Sequence, residues 1–107
     1  MMEEIVVFVS TANRAEAEKI ANQLLSAKLV ACANILPQIT SLFSWEGKIC
    51  REEETLIILK TRKALFESAA EAIKAHHSYR VPEIIALPLV AGSKEYLNWL
   101  RDNTKPA

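Results

Sequence analysis

Residues 5–10, IVVFVS, form a nearly unbroken apolar run rich in β-branched side chains. Such a run reads as a buried central strand. Asn13-Arg14-Ala15-Glu16 then has the form of a capping box with Asn13 as the cap. Ala17, Ile20, Ala21 and Leu24 follow at helical spacing, which predicts a helix from about 13 to 27. LVACANIL (29–36) is apolar almost throughout and predicts a second strand, stopped or bent at Pro37. TSLFSW (40–45) alternates polar and apolar, Glu46-Gly47-Lys48 is turn material, and Ile49-Cys50 begins a return arm. LIILK (56–60) is another buried strand core, whereas REEE (51–54) is charged on both faces. The pattern is that of a long hairpin whose buried base continues into an exposed arm.

Thr61 can cap a second helix whose apolar stripe is Leu65, Ala69, Ala72 and Ile73 and whose pattern runs out near His77. VPEIIALPLV (81–90) predicts a strand bracketed by Pro82 and Pro88. Proline has no N–H to give a central ladder, so these positions mark strand ends, a bulge or an edge. Ser93 can cap a short last helix carrying Tyr96, Leu97, Trp99 and Leu100, and the tail DNTKPA reads as loose. The order β-α-β-β-α-β plus a small helix predicts an α+β fold, a ferredoxin-like βαββαβ sandwich, as one domain over 1–107.

Composition narrows the function. Thirteen basic and thirteen acidic side chains cancel, and no basic stripe is present, which argues against nucleic acid as a partner. No apolar run approaches the ~20 residues of a membrane-spanning helix. The N-terminus has acidic residues before its apolar stretch and no small-residue cleavage site after it, so a cytoplasmic protein is expected. In a hairpin closed near Gly47, Cys32 and Cys50 lie tens of ångströms apart at ~3.3 Å per residue, beyond the reach of a disulfide.

The two glycines, Gly47 and Gly92, rule out glycine-rich phosphate loops, and no Cys-x-x-Cys, His-Glu-x-x-His or nucleophile elbow exists. The chain is therefore expected not to be an enzyme and to use no organic cofactor. His76 and His77, its only histidines, stand side by side at a helix end. One reading is a metal site, in which imidazole suits copper or zinc and Glu83 or a second subunit completes the shell. The other is a helix C-terminus, where a histidine is favoured by the helix dipole. Glu52, Glu53 and Glu54 read as a solvated face. Trp45, Tyr96 and Trp99 read as core or interface, Tyr79 as a hydroxyl satisfying nearby backbone, and Lys60 as a solvated cation at a strand end.

ACANILP (31–37), SLFSWEGKI (41–49), EEETLIILKT (52–61), HSYRVPEIIALP (77–88) and YLNWL (96–100) together resemble the CutA family of divalent-cation tolerance proteins. The resemblance runs from about residue 5 to 101, in order and at fitting spacing. It implies a subunit similar to the PII signalling proteins, assembled as a tight homotrimer in which the long hairpins and C-terminal segments cross subunit boundaries. It also implies a role in tolerance to divalent metal ions, copper above all. The implied copper ligands are a histidine pair matching His76 and His77 and a cysteine at the end of the first strand, where this chain has Ser10. A hydroxyl is a far poorer copper ligand than a thiolate. The common His-Pro-Tyr-Glu becomes His77-Ser78-Tyr79-Arg80, placing a positive charge where a carboxylate is usual. Two alternatives follow from fold analogy. One is a PII-like regulatory trimer holding a small anion between subunits near Lys60, Tyr79, Arg80 and Glu83. The other is a trimeric scaffold that recruits another protein.

Overall fold

A computed structural model describes residues 3–106. β1 (Glu4–Thr11) leads into α1 (Arg14–Ser26), and β2 (Cys32–Trp45) and β3 (Lys48–Arg62) form a long hairpin. A 3-10 turn (Lys63–Leu65) then opens into α2 (Phe66–His76), followed by β4 (Ile84–Pro88) and α3 (Lys94–Asp102). The four strands make one antiparallel sheet in the order β2-β3-β1-β4. This is the ferredoxin-like α+β arrangement expected from the order of elements.

Alternation along the strands divides the sheet into two faces. Ile5, Val7 and Val9 of β1 and Ile57 and Leu59 of β3 pack with Ala17, Ile20 and Leu24 of α1 and Ala69 and Ile73 of α2 into one core. The positions between them, Val6, Phe8, Leu56 and Ile58, point to the opposite face and are only half-buried. β4 adds Ile85 and Leu87 to that face at 54% and 55% exposure. α3 crosses one end of it, where Arg101 reaches Glu4.

Two of the three caps expected from sequence form: Asn13 Oδ1 accepts from the Glu16 N–H at 2.8 Å, and Ser93 Oγ accepts from the Tyr96 N–H at 3.3 Å. Trp45 pairs with Lys48 across a two-residue turn in which Glu46 and Gly47 both have positive φ, 50° and 76°. That is the turn whose twist suits a hairpin.

Several expectations need correction. Of the two outcomes expected at Pro37, β2 is bent and not stopped, and one strand runs through it. Pro37 and Gln38 together face one partner residue, a β-bulge with Gln38 at φ 62°. Edge position makes this tolerable, since the proline has no neighbour on its outer side to supply with an N–H. Thr61 does not cap α2. It is an inward-facing strand residue whose hydroxyl donates to the Leu29 carbonyl at 2.6 Å, and the 3-10 turn separates it from the helix. The tail is tied down as far as it is described: Lys105 N–H donates to the Lys28 carbonyl, and Arg62 holds both the Thr104 hydroxyl and the Lys105 carbonyl. Ala107 lies outside the described residues.

Candidate functional site

The junction between α2 and β4 gathers most of the residues singled out from sequence. α2 ends at His76, and His77 turns to extended backbone at φ −89°, ψ 140°. This reversal points the next three residues back across the sheet end instead of onward along a helix. His77 Nε2 lies 2.8 Å from the Ser10 carbonyl oxygen, and the Tyr79 N–H donates to His77 Nδ1 at 3.0 Å. The two rings also pack together, centroids 4.8 Å apart. The Ser78 N–H donates to Glu16 Oε2 at 2.5 Å, and the Tyr79 hydroxyl donates to Glu54 Oε2 at 2.6 Å.

Glu16 and Glu54 are the residues that sequence reasoning missed here. Glu16 reads as half of a capping box, yet Oε1 accepts from the Ala12 N–H, one residue before the cap, and Oε2 reaches Ser78. Burial alone would raise its carboxyl, but hydrogen bonds from Ser78 and Ala12 outweigh it and hold the carboxyl below its ordinary 4.5. Glu54 is not part of a solvated acidic face: it is 8% exposed. The signal was present in the alternation, because Glu54 continues the positions of Leu56 and Ile58. Burial, the hydrogen bond to Glu54 and the charges of Glu54, Glu16 and Glu52 push the Tyr79 hydroxyl well above its ordinary 10.0.

The other candidates do not join this cluster. Lys60 pairs with Cys32, six residues along β3 from Glu54 and about 20 Å away at strand spacing. Its ammonium is not simply solvated but donates to Asn34 Oδ1 at 2.7 Å. Arg80 and Glu83 are exposed on the connection to β4. Trp45 sits at the hairpin tip, whereas Tyr96 and Trp99 pack on each other in α3, centroids 5.5 Å apart. A cleft of about 390 Å³ opens beside the junction, between Ala12–Arg14, the β2 bulge and Glu53–Thr55. Its walls carry two carboxylates, and the guanidinium of Arg14 is already paired with Glu18 at 3.1 Å, so the cleft offers an anion little.

A copper ion held by His76, His77 and position 10 does not fit this geometry. Ser10 meets His77 through its backbone carbonyl, and its side chain is a hydroxyl instead of a thiolate. Among the described residues, no group of three or more His, Cys, Asp or Glu side chains converges to hold an ion.

The model of the CutA1 divalent ion tolerance protein family matches residues 5–103. The chain belongs to the CutA1 family. It is 48% identical over 101 residues to the chloroplastic protein CutA of Arabidopsis thaliana, covering 94% of this chain and 56% of that one, so it spans little more than half of that relative's length. It is 43% identical over 103 residues to the divalent-cation tolerance protein CutA of Thermus thermophilus, covering 96% and 99% of the two chains. The crystal structure of CutA1 from Oryza sativa superimposes with a TM-score of 0.96 at 42% identity, over 99% of this chain and 97% of that one. CutA1 membership thus accounts for the fold, the over-long hairpin and the order of all the segments quoted from the sequence.

Proposed function

We propose that this CutA1 protein acts as a non-catalytic homotrimer in tolerance to divalent cations, with copper or another divalent metal as the ion it serves. Family membership supports the role. The observation that carries the assembly is the half-open sheet face: Val6, Phe8, Leu56, Ile58, Ile85 and Leu87 form a contiguous apolar surface that, among the described residues, no element covers fully. Surfaces of this kind mark subunit contacts. A cytoplasmic setting suits the free thiols of Cys32 and Cys50.

Sedimentation equilibrium tests the assembly. The expected mass is three times the 12.0 kDa of one chain. Ile85→Glu, which puts a charge on the open face, should shift the distribution towards single chains. A wild-type protein that sediments as one chain at all concentrations overturns the trimer. The role is tested by growth on graded copper of a host lacking its own CutA, with and without this chain. Equal growth in the two strains overturns the tolerance reading.

A further inference from the structure

We infer that His77 is a positioning residue that locks the α2–β4 connection onto β1, and that this chain does not use it as a metal ligand. The argument rests on which groups can only donate and which can only accept. A backbone N–H can only donate, so the Tyr79 N–H at 3.0 Å requires His77 Nδ1 to be unprotonated. A carbonyl can only accept, so the Ser10 oxygen at 2.8 Å requires the proton on Nε2. One neutral tautomer satisfies both contacts, and it leaves neither nitrogen with a lone pair to give away. Coordination through Nδ1 forfeits the Tyr79 contact, and coordination through Nε2 forfeits the contact to β1.

The same segment is held at two further points. Ser78 is tied to Glu16 of α1 and Tyr79 to Glu54 of β3. Three consecutive residues therefore each bond a different element, and His77 is the one that reaches β1. The family's ligand position has here become a structural tie, in step with the hydroxyl at Ser10 and the guanidinium at Arg80. The inference stands whichever cation the trimer serves.

Nitrogen-15 NMR of the histidine rings in the wild-type trimer tests it directly. His77 should show a protonated Nε2 and an unprotonated Nδ1, unchanged when zinc, a diamagnetic probe, is added in excess. Loss of the Nε2–H signal on zinc addition, or the opposite tautomer, overturns the inference. Variants supply a second readout. His77→Gln can still donate to the Ser10 carbonyl but has no imidazole, so its melting temperature should lie well above that of His77→Ala, and its copper retention against a chelator should equal the wild type. A His77→Gln protein with wild-type melting temperature and several-fold weaker copper retention would make the ring a ligand after all.

Discussion

The two ends of the central strands are closed by similar parts used differently. Each end buries one glutamate: Glu4 of β1 at 1% exposure and Glu54 of β3 at 8%. Glu4 accepts from the Arg101 guanidinium at 2.7 Å, which pins α3 to the sheet, and Arg62 beside it gathers Glu3, Thr104 and Lys105. Glu54 instead accepts from the Tyr79 phenol, within a set of hydrogen bonds that joins Ser10, Glu16, His77 and Ser78. The first end is an ion-pair clamp whose guanidinium stays charged at every accessible pH. The second is a network of mostly neutral donors that fixes one short connection. The difference teaches that the C-terminal helix is held by charge, whereas the candidate site is held by the protonation states of particular groups.

The clamp should break hardest. Arg101→Ala leaves a fully buried carboxylate without its cation, and its other oxygen, Oε1, has no hydrogen-bond partner among the described residues. Breaking a buried pair in this way costs roughly 3–5 kcal/mol, and the lower end applies because the Arg101 side chain is 49% exposed. Denaturant midpoints, compared at one protein concentration because the proposed assembly would contribute to apparent stability, supply the check. A change within about 0.5 kcal/mol, the ordinary range for a surface substitution, would show that the clamp is ornamental.

At the other end, Tyr79→Phe removes a hydrogen bond to a charged acceptor, worth about 1.5–3 kcal/mol. The half-buried hydroxyl puts the expected loss near the lower figure. It should be visible first as faster amide exchange across 77–80. If Tyr79→Phe instead loosens α3 and leaves 77–80 protected, the two ends are coupled and the comparison fails. Asn13→Ala is a smaller perturbation, about 1 kcal/mol for a lost helix cap, because Glu16 and the rest of the network remain in place.

Periodicity made the body of the fold legible, because burial imposes it. IVVFVS reads as a central strand, and the Ala17–Leu24 stripe marks the helix face that packs into the core with it. The polar ends were not legible in the same way. Thr61 looks like a helix cap because a threonine before a helical pattern commonly is one. Its burial at 0%, and hence its bond to Leu29, depends on the register of β3. DNTKPA has the composition of a loose tail, and the groups that tie it down, Arg62 and the Lys28 carbonyl, lie far back in the chain. The histidine pair was placed correctly at a helix end, but its chemistry was not readable. The state of His77 is set by a carbonyl 67 residues away and an N–H two residues on.

Titration sharpens the contrast between the ends most finely, and its two limbs have opposite signs. The Glu16 carboxyl is held below its ordinary value, so its contribution is present above about pH 4.5 and is lost as pH falls through the lower folded value. Glu16→Gln should therefore flatten the acid limb of the stability profile. The Tyr79 hydroxyl is raised, so its contribution is intact below about pH 10 and is lost as pH climbs towards the higher folded value. Tyr79→Phe should flatten the alkaline limb and leave the acid limb as it was. The guanidinium clamp predicts no alkaline limb of its own, so Arg101→Ala should lower the whole alkaline profile without changing its slope. Ultraviolet titration of the folded protein gives the independent reading: both phenols should titrate above pH 10, Tyr79 the later of the two, and the later signal should vanish in Tyr79→Phe. Tyr96, raised by burial and by Cys32 beside it, supplies the internal control at the clamp's end of the sheet and should remain in that variant. A late-titrating signal that survives Tyr79→Phe at full size would move the protected phenol to Tyr96 and leave Glu54 without the neutral donor on which the comparison depends.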